Sequence, residues 1–302
     1  MANEWQPEVE MDEKNASELI CEQFPELCKY QVKKIGQGFD NTIFSLEENY
    51  LFRFPRRVVA AQLLENEKNL LSIIGPDLPI LTTIPLFFGK PTEKFIWPFI
   101  GYSFIKGKVP NELSPIERIA MARPLANFLK KLHSISVKKM EEIGIPRDHI
   151  RRLDLSHRVP KLRKNLVKVF EHNLFQHKDL LKQYINEIKY INIQSKDVLV
   201  HGDLHYRNMI LNEENKLAGI IDWGDAHLGK RAIDLSIVYC LIPKEARNEF
   251  YSIYGEVDEE EKYIAQFKAI YTTILLLLYG FDSNDDSLVK ISQENLLNAL
   301  IH

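Results

Sequence analysis

The pattern of apolar residues changes near residue 105, and this change constrains the fold more than any other feature of the chain. Before it, Tyr30 to Phe54 carries aromatic and branched runs broken by polar turns, as in Ile43-Phe-Ser-Leu and Tyr50-Leu-Phe-Arg-Phe, the pattern of paired strands. Pro79 to Phe104 holds further strand-like pieces, broken by Pro85, Gly89, Pro91 and Pro98. Helices are predicted over 12–24 and 60–74. After Gly107 helical spacing takes over. Ser114-Pro-Ile-Glu reads as an N-cap serine, a proline at the first helical position and a glutamate three residues on. That helix is expected to run to Leu132, with Pro124 as a candidate kink. Leu162, Leu166, Val169 and Phe170 share a helical face, as do Leu181, Tyr184, Ile185 and Ile188. Residues 259–279 and 287–301 also read as helices, and one strand pair is predicted near 208–222. The expected class is α+β and bilobal: a strand-rich N-terminal lobe over 1–105 and a mainly helical C-terminal lobe over 106–302. Junctions of this kind, here near Ser103–Gly107, are where ligand clefts form.

A chain of 302 residues with 45% hydrophobic content can bury a substantial core. Its 39 Lys and Arg against 42 Asp and Glu leave a net charge of −3, which disfavours a generally basic nucleic-acid binder. Three cysteines, Cys21, Cys28 and Cys240, form no C-x-x-C pair. They argue against a disulfide framework or zinc ribbon and fit a reducing compartment. The N-terminus is polar and acidic, and the longest apolar run, Ile274 to Leu278, is far short of a membrane span. A soluble cytoplasmic protein, with neither nucleic acid nor membrane as partner, is expected.

The chemistry concentrates in Val198-Leu-Val-His-Gly-Asp-Leu-His-Tyr-Arg-Asn-Met-Ile-Leu and in Ala218-Gly-Ile-Ile-Asp-Trp-Gly-Asp. Asn208-Met-Ile-Leu and Leu217-Ala-Gly-Ile-Ile flank Glu213-Glu-Asn-Lys, the pattern of a hairpin turning near Asn215. Antiparallel pairing would bring Asn208 beside Asp222, with Asp203 five positions before Asn208. Asn208 and Asp222 are hard oxygen donors of the kind Mg²⁺ accepts. Asp203 is placed to take a proton from an attacking hydroxyl. For a single Asp the ordinary reading as a turn residue would win. For His-Gly-Asp with Asn at +5 and Asp at +19, the functional reading is favoured.

These motifs resemble those of the aminoglycoside phosphotransferase family, a branch of the protein-kinase-like superfamily, over most of the chain and most closely from Val198 to Tyr239. In that family His-Gly-Asp-x-x-x-x-x-Asn replaces the protein-kinase His-Arg-Asp loop, and Ile-Asp-Trp/Phe-Gly stands for Asp-Phe-Gly. The resemblance implies that Asp203 is the catalytic base and that Asn208 and Asp222 hold Mg²⁺. Ile35-Gly-Gln-Gly-Phe-Asp-Asn resembles the nucleotide loop, with Gly36 and Gly38 letting the backbone approach the phosphates of ATP or GTP. Alone, two nearby glycines are more often a hairpin turn. The family's phosphate-binding cation is usually Lys; Arg53 stands at that place here.

Helix 60–74 bears on this independently. Glu67 has Leu63, Leu64, Leu70 and Leu71 as its helical neighbours, so it lies in the apolar stripe and needs a cationic partner, for which Arg53 is the natural candidate. The alternative is a carboxylate at the rim of the stripe, in water. Asp234 opens an apolar helix-like run. The resemblance makes it a buttress of the catalytic loop, and a plain helix N-cap is the alternative. His201 is expected to orient the loop, and His205 to be a loop histidine near the cleft. The nucleotide base is expected against the backbone near Ser103, Phe104 and Ile105.

The acceptor should be a small molecule, because nothing between Asp222 and Tyr239 resembles a peptide-docking activation segment. Asp225, Asp258-Glu-Glu-Glu, Asp282, Asp285 and Asp286 would suit a cationic acceptor, although such runs are usually solvated helix faces. An aminoglycoside is the first expectation. Macrolide, choline and homoserine kinases are the alternatives within the family, and a catalytically inactive nucleotide-binding regulator the alternative outside catalysis. Residues 135–193 and 240–302 would wall the acceptor site.

Overall fold

The computed structural model describes residues 8–37, 41–110 and 112–301. The chain forms two compact units, Met1–Lys106 with Gly219–Asp225, and Gly107–Ala218 with Ala226–His302.

The first unit opens with α1 (Glu13–Gln23), followed by β1 (Val32–Gln37), β2 (Asn41–Leu46), β3 (Tyr50–Pro55), α2 (Val58–Ile74), β4 (Leu81–Thr82), β5 (Pro85–Gly89) and β6 (Phe99–Ser103). Five of these strands make an antiparallel sheet in the order β1-β2-β3-β6-β5. Side chains alternate across a strand, so the sheet has two distinct faces. One is aromatic: Phe44, Phe52, Phe54 and Phe99 are buried with Phe95, Trp97 and the α1 residues Ala16, Leu19 and Ile20. Phe54 and Phe99 stack with centroids 4.5 Å apart. Each such ring contributes about 1.5–3 kcal/mol of burial free energy. The packing is close enough that a Cβ on Gly101 would come within 2.4 Å of the Phe52 ring, so only glycine fits there. On the other face Leu51, Ile100 and Tyr102 pack against Leu64 of α2. Arg53 lies between Phe52 and Phe54 in β3 and opposite Ile43 and Ile100, so period-two alternation directs it to this second face.

Cys21 and Cys28 are bridged, with Cα atoms 5.0 Å apart. The turn after α1 brings together two cysteines in a sequence that argued against a disulfide framework; one local link fastens only the end of that helix.

The second unit contains α3 (Pro115–Ala120), α4 (Ala122–His133), α5 (Val137–Glu142), α6 (Leu155–Glu171), α7 (Lys178–Asn186), β7 (Asp197–Val200), β8 (Met209–Leu211), the start of β9 (Leu217–Ile220), β10 (His227–Lys230), α8 (Ala232–Leu241), α9 (Lys244–Tyr254), α10 (Glu259–Asp282) and α11 (Asp286–Leu300). The last two residues of β9 belong to the first unit and pair in parallel with β4. All ten residues of α8 are buried, so it forms the axis of the second unit. Around it, α10 packs on α8, α11 and α6. By length and composition α10 could cross a membrane, yet most of its apolar stretch is buried inside this unit.

The helix predicted from Ser114 to Leu132 is broken at Met121 into α3 and α4. The predicted capping box at Ser114 is present. Pro124 falls in the first turn of α4, where its missing N–H removes no helical hydrogen bond. Among the features not anticipated are α5, α9, the parallel pairing of β4 with β9 and the antiparallel pairing of β10 with β7.

Candidate active site

In the second unit β7 delivers His201, Gly202 and Asp203 into a loop. Gly202 has φ +87, a left-handed conformation that favours glycine. The loop is pinned from α8. Asp234 accepts the His201 amide at 2.7 Å on Oδ2 and the Gly202 amide at 3.0 Å on Oδ1. Asp234 stands in the first turn of α8, with Arg231 at the N-cap, so the plain N-cap alternative does not hold. Its carboxylate is fully buried. A third partner, His133 at the end of α4, places Nε2 3.2 Å from Oδ2. Burial pushes the Asp234 carboxyl up, but His133, His201 and the Gly202 amide outweigh it and hold it below its ordinary value.

Asp203 presents a carboxylate with 39% of its side chain exposed. Its amide donates to His201 Nδ1 at 3.3 Å, which ties the loop to its own histidine. His205 Nε2 lies 3.4 Å from Asp203 Oδ2. Desolvation pushes the Asp203 carboxyl up, yet His205, Lys268 on α10 and His201 bring it well below the usual carboxylate range. The group is therefore an ionised proton acceptor at neutral pH. Asn208 ends a short turn before β8, is buried, and donates Nδ2 to the Asp203 carbonyl at 2.9 Å. Its Oδ1 has no partner among the described residues, which leaves a hard oxygen for a cation. The turn between β8 and β9 is closed by Asn212 and Lys216, with Asn215 at φ +56.

The first unit contains a second charged group. Arg53 Nη1 donates to Glu67 Oε2 at 2.8 Å and Oε1 at 3.1 Å, and Nη2 donates to Asp222 Oδ1 at 2.8 Å. Glu67 is 1% exposed, so it is buried and paired with Arg53 rather than at the rim of its helix. Burial pushes the Glu67 carboxyl up to about 7 against the pull of Arg53, with Asp222 adding to the rise. Burial opposes the Arg53 charge, but Glu67 and Asp222 outweigh this and raise its pKa. Asp222 follows β9 at φ +65, a conformation uncommon for aspartate, with half of its side chain exposed. Trp223 beside it is buried and donates Nε1 to the Ile220 carbonyl at 3.2 Å.

Gly36 lies in β1 at a register shift, where an added Cβ would meet only Ile43 Cδ1, at 3.9 Å. Packing does not demand glycine there. Gly38 lies outside the described residues. Ser103 pairs with Tyr50 at the end of β6, and the Phe104 amide is committed to the Asn49 carbonyl at 3.1 Å. The Ile105 backbone has no backbone partner among the described residues. A cavity of about 320 Å³ is lined by residues that include Lys33, Ile35, Ser45 and Phe104. A larger one, about 720 Å³, lies beside α1 and holds none of the predicted site residues. Asp225 is exposed at the end of its segment. His133, Tyr102 and Lys268 went unpredicted. His133 is 101 residues from the carboxylate it contacts, and no local pattern signals such a contact.

The model of the phosphotransferase enzyme family, APH, matches residues 31–268. Among solved structures, the chain is similar to the GDP complex of aminoglycoside 2'-phosphotransferase-IIIa, with TM-score 0.70, 21% identity, and coverage of 96% of this chain and 99% of that one. It is also similar to ADP-bound aminoglycoside phosphotransferase APH(2'')-Ib, with TM-score 0.58, 23% identity, and coverage of 94% and 99%. A third likeness is to the macrolide 2'-phosphotransferase MphH from Brachybacterium faecium, with TM-score 0.59, 14% identity, and coverage of 94% and 97%. The strand-rich first unit and helical second unit thus have the protein-kinase-like fold, and the chain belongs to the phosphotransferase enzyme family.

Proposed function

We propose that this protein is a small-molecule kinase that transfers the γ-phosphate of a nucleoside triphosphate to a hydroxyl group, with an aminoglycoside-type acceptor. The observation that carries this reading is the Asp203 carboxylate, held ionised on a loop whose preceding amides are fixed by buried Asp234. Asp203 takes the proton from the acceptor hydroxyl as the new P–O bond forms and the bond to the leaving diphosphate breaks. The rest of the reaction needs positioning and charge neutralisation. Arg53, fixed by Glu67, is assigned to the phosphates. Gly36 and Gly38 are assigned to close backbone approach; the absence of a packing reason for glycine at 36 supports this. The nucleotide base is assigned to Ser103 and Ile105, supported by the cavity that includes Phe104.

Mg²⁺ is assigned to Asn208 and Asp222. The free Oδ1 of Asn208 and the half-exposed carboxylate of Asp222 are donors of the type this ion takes alongside water and phosphate oxygens. Bound there, the ion would neutralise phosphate charge.

Part of the acidic runs has a structural use, while Glu259, Glu260, Asp282 and Asp286 are exposed. Asp258 caps α10, Asp285 caps α11, and Glu261 is buried against Arg231. Those three therefore add little to a cationic-acceptor reading, which is supported by the aminoglycoside phosphotransferases of like fold and by the exposed carboxylates, Asp225 among them. A panel of aminoglycosides, macrolides, choline and homoserine, scored by nucleotide consumption with the purified protein, tests the proposal. Consumption stimulated by none of them would refute the aminoglycoside assignment. Stimulation by a macrolide alone would keep the kinase and change its acceptor.

A further inference from the structure

The hydrogen bonds around His133 reach the catalytic loop from residues far away in sequence. His133 is nearly buried, and both of its ring nitrogens are engaged. Nε2 faces Asp234 Oδ2 at 3.2 Å, and Nδ1 lies 2.8 Å from the hydroxyl of Tyr254, the last residue of α9. The Asp234 oxygens accept only, because they already receive the His201 and Gly202 amides. Nε2 must therefore carry a proton. In neutral imidazole Nδ1 then offers a lone pair, and the Tyr254 O–H donates to it. Tyr254 is in turn held in place. The Arg231 guanidinium lies 5.9 Å from its ring centroid and is itself paired with Glu261 at 2.6 Å.

We propose that Tyr254 is a positioning residue for the catalytic loop, acting by fixing the tautomer of His133 that donates to Asp234. Donation runs from Tyr254 on α9 to His133 on α4 to Asp234 on α8, whose carboxylate also accepts the His201 and Gly202 amides. Without the Tyr254 hydroxyl the other tautomer, with the proton on Nδ1, becomes accessible. It would place an Nε2 lone pair against a buried carboxylate, an arrangement that repels. Asp234 would then turn away from one of the loop amides, and Asp203 would lose its fixed position. None of Tyr254, His133 and Asp234 is among the residues assigned above to the nucleotide. The proposal rests on Asp203 being the base, so its test carries one readout that does not depend on turnover.

The experiment compares Tyr254→Phe, His133→Gln and the double variant. Phe keeps the ring and removes only the hydroxyl. Gln offers an amide N–H toward Asp234 and has no tautomers. Tyr254→Phe should lower kcat roughly 5- to 30-fold, the loss of about 1–2 kcal/mol of buried hydrogen bonding, with nucleotide KM unchanged. It should also speed amide hydrogen exchange at Gly202. In the His133→Gln background the same substitution should change neither kcat nor Gly202 exchange. Equal loss in both backgrounds, or no loss in the native one, would overturn the proposal. So would parallel changes in kcat and nucleotide KM, which would mark a general loosening of the fold. If the native protein shows no acceptor-dependent turnover, the kinase reading fails, and exchange at Gly202 still decides the role of Tyr254.

Discussion

Each unit of the molecule pairs a buried carboxylate with a half-exposed one, and the two units hold their pairs by different means. In the second unit the buried member is Asp234, held by two backbone amides and a histidine, and the exposed member is Asp203. In the first unit the buried member is Glu67, held by a guanidinium, and the exposed member is Asp222, which shares that guanidinium. Backbone amides are fixed by the fold, so the Asp203 loop is set when the second unit folds. A side-chain cation can be shared or withdrawn, so under the proposed assignment of Arg53 to the phosphates the Glu67–Arg53–Asp222 group could redistribute when phosphate competes for it. In the proposed function this difference gives a fixed base in one unit and an adjustable charge clamp in the other.

The largest expected effect is on the exposed carboxylate of the rigid pair. Asp203→Ala should lower turnover by roughly 10²–10⁴-fold, the usual contribution of a general base, and leave nucleotide affinity nearly unchanged. Near-normal turnover in steady-state assays would remove Asp203 from this role and end the parallel between the units.

Removing the cation from the other unit should act on stability. Arg53→Met leaves Glu67 buried without a partner, which should cost roughly 3–5 kcal/mol in denaturant unfolding. Arg53→Met with Glu67→Gln should recover part of that, because no buried charge then remains unpaired. A single variant as stable as the native protein would show that the guanidinium does not hold this group together.

Asp222→Ala should be milder. Mg²⁺-supported nucleotide binding should weaken roughly 10- to 100-fold, the loss of one ionic contact, while metal-free binding holds. Titration calorimetry with and without Mg²⁺ separates the two. Equal weakening in both conditions would place Asp222 in the clamp and not at the ion.

The contrast between the units also decides what could be read from sequence. Local spacing exposed the elements that act locally: His201-Gly-Asp with Asn208, the Ser114 capping box, and Glu67 among four leucines. Glu67 was legible because an apolar stripe makes a carboxylate conspicuous. Its partner came from the family resemblance, which puts the phosphate-binding cation at Arg53; alternation in β3, which sets Arg53 apart from Phe52 and Phe54, is the structural reason it reaches Glu67. Asp234 could be found only through the family resemblance, since its partners lie 32 and 33 residues away. His133 and Tyr254 were invisible because their contacts cross 101 and 121 residues, and each reads locally as the ordinary end of an amphipathic helix. The pairing of β10 with β7 was missed for the same reason: four residues containing Gly229 carry no alternation strong enough to mark a strand. Within the acidic runs the caps at Asp258 and Asp285 could not be told in sequence from solvated helix faces.

The smallest expected effect is a pH dependence confined to the first unit. Burial raises the Glu67 carboxyl from 4.5 to about 7. A carboxyl whose folded-state pKa is raised binds its proton more tightly in the folded chain than in the unfolded one. Its contribution to stability is therefore fully present below about pH 4.5 and is lost as pH rises to about 7. Asp234 behaves oppositely. Its pKa is depressed, so its contribution is present above its ordinary value of 3.8 and is lost only as pH falls below that. Between pH 5 and 7 the two units should thus respond differently: the Glu67 contribution declines while the Asp234 contribution stays constant. Denaturant unfolding at steps across that range should show the native protein losing stability relative to Glu67→Gln as pH rises, with no further relative change above about pH 8. Parallel curves for the two proteins would mean that Arg53 already holds Glu67 ionised throughout, making the clamp as fixed as the loop in the other unit.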